Sequence, residues 1–221
     1  MSILIVFFIS LLYADYGGGY AGSEFRYPSN AGDLALAESN SAGGKIGYFQ
    51  FSNPAQLSQI KTMDISSSFM SLPLDRSIQT LTFSKPLPPF AGIAFSFYRS
   101  STDKIEERDE MNRFIENFNI SNYLAMISFG IKPFKKLALG LNIKKYYIPI
   151  ASDTSANGIG IDFGIRFLLT NSLKLSFKLE NIFSEMNWQL GRGNASQTNE
   201  NFPSNIIIGT MYESSKIKLY F

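Results

Sequence analysis

The residues that could perform chemistry are limited first by what the chain lacks, since its 221 residues include no Cys and no His. This excludes disulfides, Cys-based zinc sites, Cys nucleophiles and every Ser-His or Cys-His catalytic arrangement. Ser58 and Ser101 each stand three residues before a lysine, Lys61 and Lys104, which is the nucleophile spacing of penicillin-binding enzymes. The companion Ser-Asp-Asn and Lys-Thr-Gly motifs are missing, so we assign both matches to chance.

Residues 104–110 carry four carboxylates and two basic side chains in one short stretch. Paired carboxylates can perform acid–base catalysis, and clustered ones can hold a cation. Charges of both signs mixed in one polar stretch are more typical of a solvated loop or helix face. We therefore predict no catalytic residue, no metal ligand and no cofactor, and the chain is predicted not to be an enzyme.

Gly158, Gly160 and Gly164 superficially resemble a dinucleotide-binding fingerprint. That fingerprint requires a turn from a strand into a helix, whereas these glycines lie within a strand pattern. Glycines on one face of a strand let another segment approach closely, or they permit the sheet to curve. We predict the structural role.

A set of charged residues shares the even-numbered positions of the later segments and is predicted to face the interior of the fold. The set comprises Lys132, Lys144, Asp162, Arg166, Lys174, Lys178, Glu180, Lys216 and Lys218. Basic residues outnumber acidic ones, which leaves two interpretations. They pair with acidic groups elsewhere in the fold, which we favour, or they form an interior that attracts anions.

The elements that position these charges are predicted from strict alternation of apolar and polar residues. Residues 158–167 place Ile and Phe at every odd position and Gly, Asp162 or Arg166 at the even ones. Period two indicates a β-strand, and ionised groups cannot lie unpaired in a dry core. A sheet that is apolar on one face and charged on the other fits a transmembrane β-barrel with a polar interior. A soluble β-sandwich, which also alternates, is the alternative.

About nine candidate strands follow the same rule. They span residues 63–72, 76–85, 91–100, 120–133, 136–148, 158–169, 172–182, 204–213 and 215–221. Short turns at 133–136, 169–172 and 213–215 alternate with predicted long loops at 101–119, 149–157 and 183–203, of which 102–118 could form a short helix. This arrangement is typical of an antiparallel up-and-down membrane barrel, and we expect the odd-numbered residues from Ile93 to Phe221 to face lipid.

The N-terminal part of the chain has a different composition. Residues 3–12 form an apolar run with the length of a signal-peptide core, too short for a spanning helix, and we predict that residues 1–14 are removed on export. Residues 15–60 do not alternate and are predicted to form a hatch, or plug. Within it, Asn30 is expected to cap a helix over 31–38, and Asn53 and Pro54 to begin another. Residues 61–221 would then form the barrel strands.

Residues 17–57 resemble the N-terminal hatch of the PorV/PorQ family of bacterial outer-membrane proteins. The resemblance is carried by the small residues of 17–22, the Ala-rich stretch 33–38 and the hatch motif Asn53, Pro54 and Ala55. The Gly that usually follows this motif is replaced by Gln56. Further along, residues 158–166, 173–181 and 203–212 are similar to the central strands of that family.

The resemblance implies a FadL-like barrel in the outer membrane of a Gram-negative-type bacterium. Its expected partners are outer-membrane lipid, lipopolysaccharide, exported proteins and components of type IX secretion. One alternative is a FadL-like channel for hydrophobic small molecules, and another is a secreted β-sandwich that binds a partner. Nucleic acid is not an expected partner, because the net charge of +2 is small and no basic cluster is present.

The strand count also bears on closure. Bacterial single-chain barrels normally have an even number of strands, and the resembling family needs more than nine. The first candidate strand is Ser-rich, whereas the last is short and rich in Lys. We therefore expect a C-terminally truncated, incomplete barrel, in which an open sheet curls around residues 15–60.

Overall fold

The structure is a computed structural model and describes residues 21–43, 47–151, 154–190, 196–214 and 217–220. The predicted signal peptide, residues 1–14, and Lys216 lie outside these residues. The described chain is dominated by a single antiparallel sheet, preceded by a segment of short helices. The predicted all-β class with an N-terminal helical segment is therefore confirmed.

Ten strands form this sheet in the described ranges. They are β1 (Asp64–Leu72), β2 (Arg76–Leu87), β3 (Ala91–Arg108), β4 (Phe114–Phe134), β5 (Leu137–Ala151), β6 (Thr154–Leu168), β7 (Leu173–Leu190), β8 (Ser196–Asn201), β9 (Asn205–Glu213) and β10 (Lys218–Tyr220). Strands β1 to β7 pair in chain order, and the same edge of β7 then pairs with β9 and, further along, with β8. Strand β8 is the element that the sequence pattern did not predict.

The two edges of the sheet, as far as the structure describes them, do not meet. Within the described part of the chain, β1 pairs only with β2 and β10 pairs only with β9. The sheet is thus open, as expected, and its inner face lies against the N-terminal segment.

The predicted long loops are wrong, because most of these residues continue the strands. Strand β3 runs to Arg108 and β4 begins at Phe114, so the expected helix over 102–118 is instead a long hairpin with a tip at 109–113. Asp109 closes this tip by accepting hydrogen bonds from the backbone N–H groups of Met111 and Arg113 at 2.9 and 2.8 Å. Both faces of the hairpin are exposed to solvent. Its sequence therefore does not alternate between apolar and polar residues, and the period-two pattern does not reveal these strands.

The two faces of the central strands differ as the alternation predicts. In β5 the odd-numbered Leu141, Ile143 and Tyr147 are exposed on the outer face, whereas the even-numbered Asn142 and Lys144 are buried. Exposed apolar side chains continue across the outer face of the sheet. They include Ile65, Phe69, Leu81, Phe95, Phe97, Ile127, Phe129, Ile131, Ile159 and Phe167.

The expectation that odd-numbered residues face outward fails in β9. Ile206 and Ile208 are 68% and 73% exposed, whereas the odd-numbered Met211 is 3% exposed and faces the hatch. Alternation fixes which residues share a face within one strand. The number of residues between two strands decides whether the odd-numbered or the even-numbered residues of the second strand face outward. The connection between β7 and β9 places the even-numbered residues of β9 on the outer face.

The described part of the hatch, residues 21–43 and 47–60, has little regular structure of its own. Its elements are a 3-10 turn (Ser23–Phe25), α1 (Ala31–Ala35), α2 (Phe49–Ser52) and a 3-10 helix (Pro54–Gln59). The predicted caps are present, since the side chain of Asn30 accepts from the N–H groups of Gly32 and Asp33, and that of Asn53 from the N–H of Ala55. Helix α1 ends before the predicted residue 38, because Ala37 and Glu38 have positive φ angles.

A row of four glycines determines where the hatch lies. Gly92, Gly130, Gly140 and Gly164 are direct cross-strand partners on β3, β4, β5 and β6. A Cβ atom on Gly92, Gly130 or Gly140 would overlap backbone atoms in the 3-10 helix of residues 54–59, and a Cβ on Gly164 would overlap the side chain of Asn53. The hatch therefore contacts the bare backbone of the sheet, which is possible only because these positions lack side chains.

This contact predicts that Gly140→Ala destabilises the hatch, because the added methyl group meets the backbone at Pro54 and Ala55, which cannot rotate away. We expect a loss of about 1–3 kcal/mol in the free energy of unfolding, as for other overpacked sites. Gly160→Ala is the matched control, since its methyl group would meet mainly the rotatable side chain of Ser184. Chemical unfolding in detergent micelles measures both variants, and equal losses would contradict the account.

Candidate functional site: the hatch and the inner face of the sheet

Four charged residues from three neighbouring strands meet on the inner face of the sheet. Lys144 on β5 contacts Asp162 on β6, with Nζ 2.7 Å from Oδ1, and lies 3.7 Å from Glu180 on β7. Lys178, also on β7, contacts Glu180 at 2.9 Å. The two positive and two negative charges balance within this group, which we call the ion cluster. Four of the charged residues selected from the sequence are thus brought together.

A β-bulge in β7 completes the ion cluster with a residue that the sequence analysis missed. The pairing register shifts so that Glu180 and Asn181 both lie opposite Asp162, and Asn181 has a φ of 57°. Its backbone N–H donates to Asp162 Oδ1 at 3.0 Å, and its side-chain oxygen accepts from Lys144 Nζ at 2.9 Å. Asn tolerates this left-handed conformation better than most residues. Simple alternation would place Asn181 on the outer face.

The hatch supplies the remaining hydrogen-bond partners of the ion cluster. Lys178 Nζ donates to the carbonyl of Phe51 at 2.8 Å. Asn142 Nδ2 donates both to the carbonyl of Gln50 and to Asp162 Oδ2, each at 2.9 Å. Buried charges need such partners, since their ion pairs alone do not replace the lost hydration. The sheet, which we call the wall, and the hatch therefore supply hydrogen-bond partners to each other's buried polar groups.

The predicted hatch motif lies at the centre of this contact. Asn53 is fully buried, and its Nδ2 donates to the carbonyls of Ile165 and Phe177 at 3.2 and 3.3 Å. The same side chain caps the 3-10 helix that contains Pro54 and Ala55. The motif therefore joins the hatch to strands β6 and β7 while it shapes the hatch backbone.

Acidic residues of the hatch lie near the ion cluster. Asp33 accepts hydrogen bonds from Ser29 at 2.9 Å, from Asn30 at 2.7 Å and from Asn40. Burial raises the pKa of Asp33, and these hydrogen bonds partly oppose the increase. Desolvation also raises the pKa of Glu38, and the negative charges of Glu180 and Asp33 raise it further.

A cavity of about 440 Å³ is lined both by the ion cluster and by a neighbouring apolar group. Phe25 of the hatch packs on Tyr146 with ring centroids 5.0 Å apart, and Phe202 stacks on the same tyrosine at 4.4 Å. Tyr98 and Leu124 also belong to this group. The inner face is therefore not polar throughout. The sequence could have indicated this apolar part of the inner face, because the aromatic residues Tyr98 on β3 and Tyr146 on β5 occupy even-numbered positions. The prediction of a charged interior left them out.

The other selected charges lie elsewhere. Arg166 Nε donates to the carbonyl of Ala42 at 2.8 Å, and Lys174 and Lys218 contact the two carboxylate oxygens of Glu213 at 2.6 and 2.8 Å. Lys132 is half-buried near the end of β4 and belongs neither to the ion cluster nor to the contacts around Glu213.

The two serines that match the Ser-x-x-Lys spacing form hydrogen bonds with other groups. Ser58 Oγ donates to the carbonyl of Ala55 and Ser101 Oγ to Asp103, so neither serine is aligned with the lysine that follows it. No group of three or more metal-ligating side chains occurs in the ranges that the structure describes.

Comparison of the sequence with models of protein families gives no match, and a search of curated proteins gives none either. None of the helices in the described ranges is both long enough and apolar enough to cross a membrane. Function must therefore be inferred from the geometry of the sheet and the hatch.

The ion cluster predicts a strong effect for Asp162→Asn, because Lys144 would lose its closest negative partner in a buried site. We expect a loss of about 3–5 kcal/mol in the free energy of unfolding. Asp75→Asn is the matched control, since Asp75 contacts Lys104 at 2.9 Å with both side chains more than half exposed. Exposed pairs contribute about 0–1 kcal/mol. Unfolding by urea in detergent micelles compares the two variants, and similar losses would show that the cluster is not buried.

The raised pKa of Glu38 predicts a pH-dependent effect for Glu38→Gln. The folded-state pKa lies above the unfolded value, so the charged form reduces stability at high pH and this cost disappears as the pH falls. The variant should be more stable than the wild type at pH 8, and the difference should shrink by pH 5. Unfolding midpoints at the two pH values measure it, with Glu107→Gln on the exposed hairpin as the control. A larger gain at pH 5 than at pH 8 would refute the prediction.

Proposed function

We propose that this chain forms the wall and hatch of an integral outer-membrane β-barrel protein of the PorV/PorQ type, which is not an enzyme and assists the export of other proteins. The observation that carries the proposal is the continuous apolar outer face of a sheet whose inner face holds buried charges. One row of this outer face runs across four adjacent strands, where each residue pairs with the next: Phe95, Ile127, Ile143 and Ile161. Soluble monomers rarely expose apolar patches of this extent.

The dimensions of the apolar face suit a membrane. On β6 the outward apolar residues run from Ile159 to Phe167, which matches the roughly 9–11 residues of a tilted spanning strand. Tyr123 and Tyr147 stack at one border of this face with ring centroids 6.3 Å apart. Aromatic girdles of this kind mark the lipid–water boundary of transmembrane barrels.

Two features favour a role in export over a role as an open pore. The hatch is joined to the wall through buried contacts of Gln50, Phe51 and Asn53, so it obstructs the interior rather than lining a channel. The β3–β4 hairpin extends beyond the Tyr123–Tyr147 border and presents exposed Met111 and Phe114 among charged residues. Such a hairpin offers a docking surface for exported proteins or secretion components. The resemblance of residues 17–57 to the PorV/PorQ hatch supports the same role.

A FadL-like channel for hydrophobic small molecules is the second candidate. The observation that favours it is the cavity of about 440 Å³, whose lining includes Tyr98, Leu124 and Phe202 as well as the ion cluster. A cavity lined by both apolar and charged side chains suits an amphipathic ligand.

Membrane insertion is tested by Ile127→Arg. If Ile127 faces lipid, the arginine costs about 2–4 kcal/mol and reduces the amount of protein in the outer-membrane fraction. Asn117→Arg is the matched control, because Asn117 is exposed on the same strand beyond the apolar face. Quantitative fractionation and heat-modifiable gel migration measure insertion. A soluble sandwich would tolerate both substitutions equally, since both positions are exposed.

The export role is tested by shortening the β3–β4 hairpin while the wall is left intact. Replacement of residues 103–116 by a short turn should leave the protein in the outer membrane and cause exported proteins to accumulate in the periplasm. Proteomics of the periplasm and the medium measures this. Normal export combined with a loss of uptake of hydrophobic compounds in a deletion strain would favour the second candidate instead.

A further inference from the structure

A second cavity lies at the end of the sheet that carries the short β6–β7 and β9–β10 turns. Its volume is about 400 Å³, and it is lined by residues of the hatch and of strands β6, β7, β9 and β10. It shares no lining residue with the cavity beside the ion cluster. Binding at this second cavity is therefore independent of the export role and of membrane insertion.

The charges that line this second cavity are unbalanced. Among the described lining residues, Arg166, Lys174 and Lys218 contribute three positive charges and Glu213 contributes one negative charge, which leaves a surplus of two. Lys174 and Lys218 each occupy one oxygen of Glu213. The carboxylate is therefore already shared between the two lysines, and the charge of Arg166 is not neutralised by an ion pair with any described residue.

Arg166 is the group that points to a ligand. Its side chain is only 3% exposed, and its Nε donates to the carbonyl of Ala42, which fixes the plane of the guanidinium. Its two terminal Nη atoms have no hydrogen-bond partner among the described residues, although Arg166 lines the cavity. Glu213 acts on Arg166 electrostatically but forms no ion pair with it. Burial of a cation without a paired anion is costly, and a held guanidinium fork matches the geometry of a bidentate oxyanion.

We propose that the second cavity binds the phosphate group of a small organic phosphate or of a lipid headgroup. A phosphate monoester carries about −1.5 to −2 charges near neutral pH, which matches the surplus of two positive charges better than a carboxylate does. Arg166 would bind two phosphate oxygens through its Nη atoms, and Lys174 and Lys218 would contribute point charges. The volume lies within the range of small-molecule sites and exceeds the needs of a bare phosphate, so the group is attached to a larger molecule.

Binding is tested by calorimetric titration of the full-length protein in detergent with inorganic phosphate and with glycerol 3-phosphate. We expect saturable binding that is tighter for the ester, and Arg166→Gln should weaken it by about tenfold or more, as loss of a charge-assisted bidentate contact does. Lys218→Gln should weaken it by a smaller factor. Because the Lys218 side chain is 57% exposed, this variant keeps the test valid if Arg166→Gln does not fold. Lys132→Gln, an even-numbered lysine outside the cavity, is the control.

A second experiment distinguishes a lipid headgroup from a soluble phosphate ester as the ligand. If nanodiscs with phosphatidate abolish the binding of glycerol 3-phosphate and nanodiscs with phosphatidylcholine alone do not, the ligand is a lipid headgroup. If both preparations leave it unchanged, the ligand is a soluble ester, and either result supports the proposal. It is overturned if phosphate gives no saturable signal at low salt, if chloride competes equally well, or if Lys218→Gln and Arg166→Gln bind as tightly as Lys132→Gln.

Discussion

The close approach of the hatch backbone to the row of glycines is the constraint on which the rest of this structure depends. Gly92, Gly130, Gly140 and Gly164 remove the side chains from one level of four adjacent strands, so the 3-10 helix of residues 54–59 lies on bare sheet. This contact brings Asn53 within reach of carbonyls on β6 and β7. It also fixes the carbonyls of Gln50 and Phe51 against the inner face of the wall.

The ion cluster follows from that placement. Lys144, Asp162, Lys178 and Glu180 balance one another in charge, but their remaining hydrogen-bonding capacity is met by hatch carbonyls and by Asn142 and Asn181. Removing the hatch would expose these partners, and removing the charges would leave the hatch carbonyls without donors. On this level of the inner face Ala94 packs with Phe49 and Leu57 of the hatch. The wall holds few other apolar residues here, so the polar contacts add to this small apolar cluster in holding the hatch. The apolar group around Tyr146 and Phe202 holds it at the next level.

Sequence patterns predicted the parts of this arrangement that depend on local rules. Alternation identified the strands and the inward position of residues such as Lys144 and Asp162, because period two is a property of a single strand. The caps at Asn30 and Asn53 were likewise local signals. Other features depend on how strands pair across the sheet, and the sequence of a single strand does not determine that pairing. These features are the alignment of the glycines, the bulge at Asn181 and the outward position of the even-numbered residues in β9. The β3–β4 hairpin was missed because a strand wet on both faces has no periodicity.

The central claim, that the hatch is held against the inner face in the native protein, is tested most directly by a disulfide between the two. Ser41 of the hatch and Ser176 of β7 have their hydroxyl oxygens 2.7 Å apart in a buried contact, and the chain has no other Cys to interfere. In the double variant Ser41→Cys/Ser176→Cys, the account predicts nearly complete disulfide formation under mild oxidation without loss of folded protein. Free thiols that react readily with a maleimide reagent in the folded protein would contradict it.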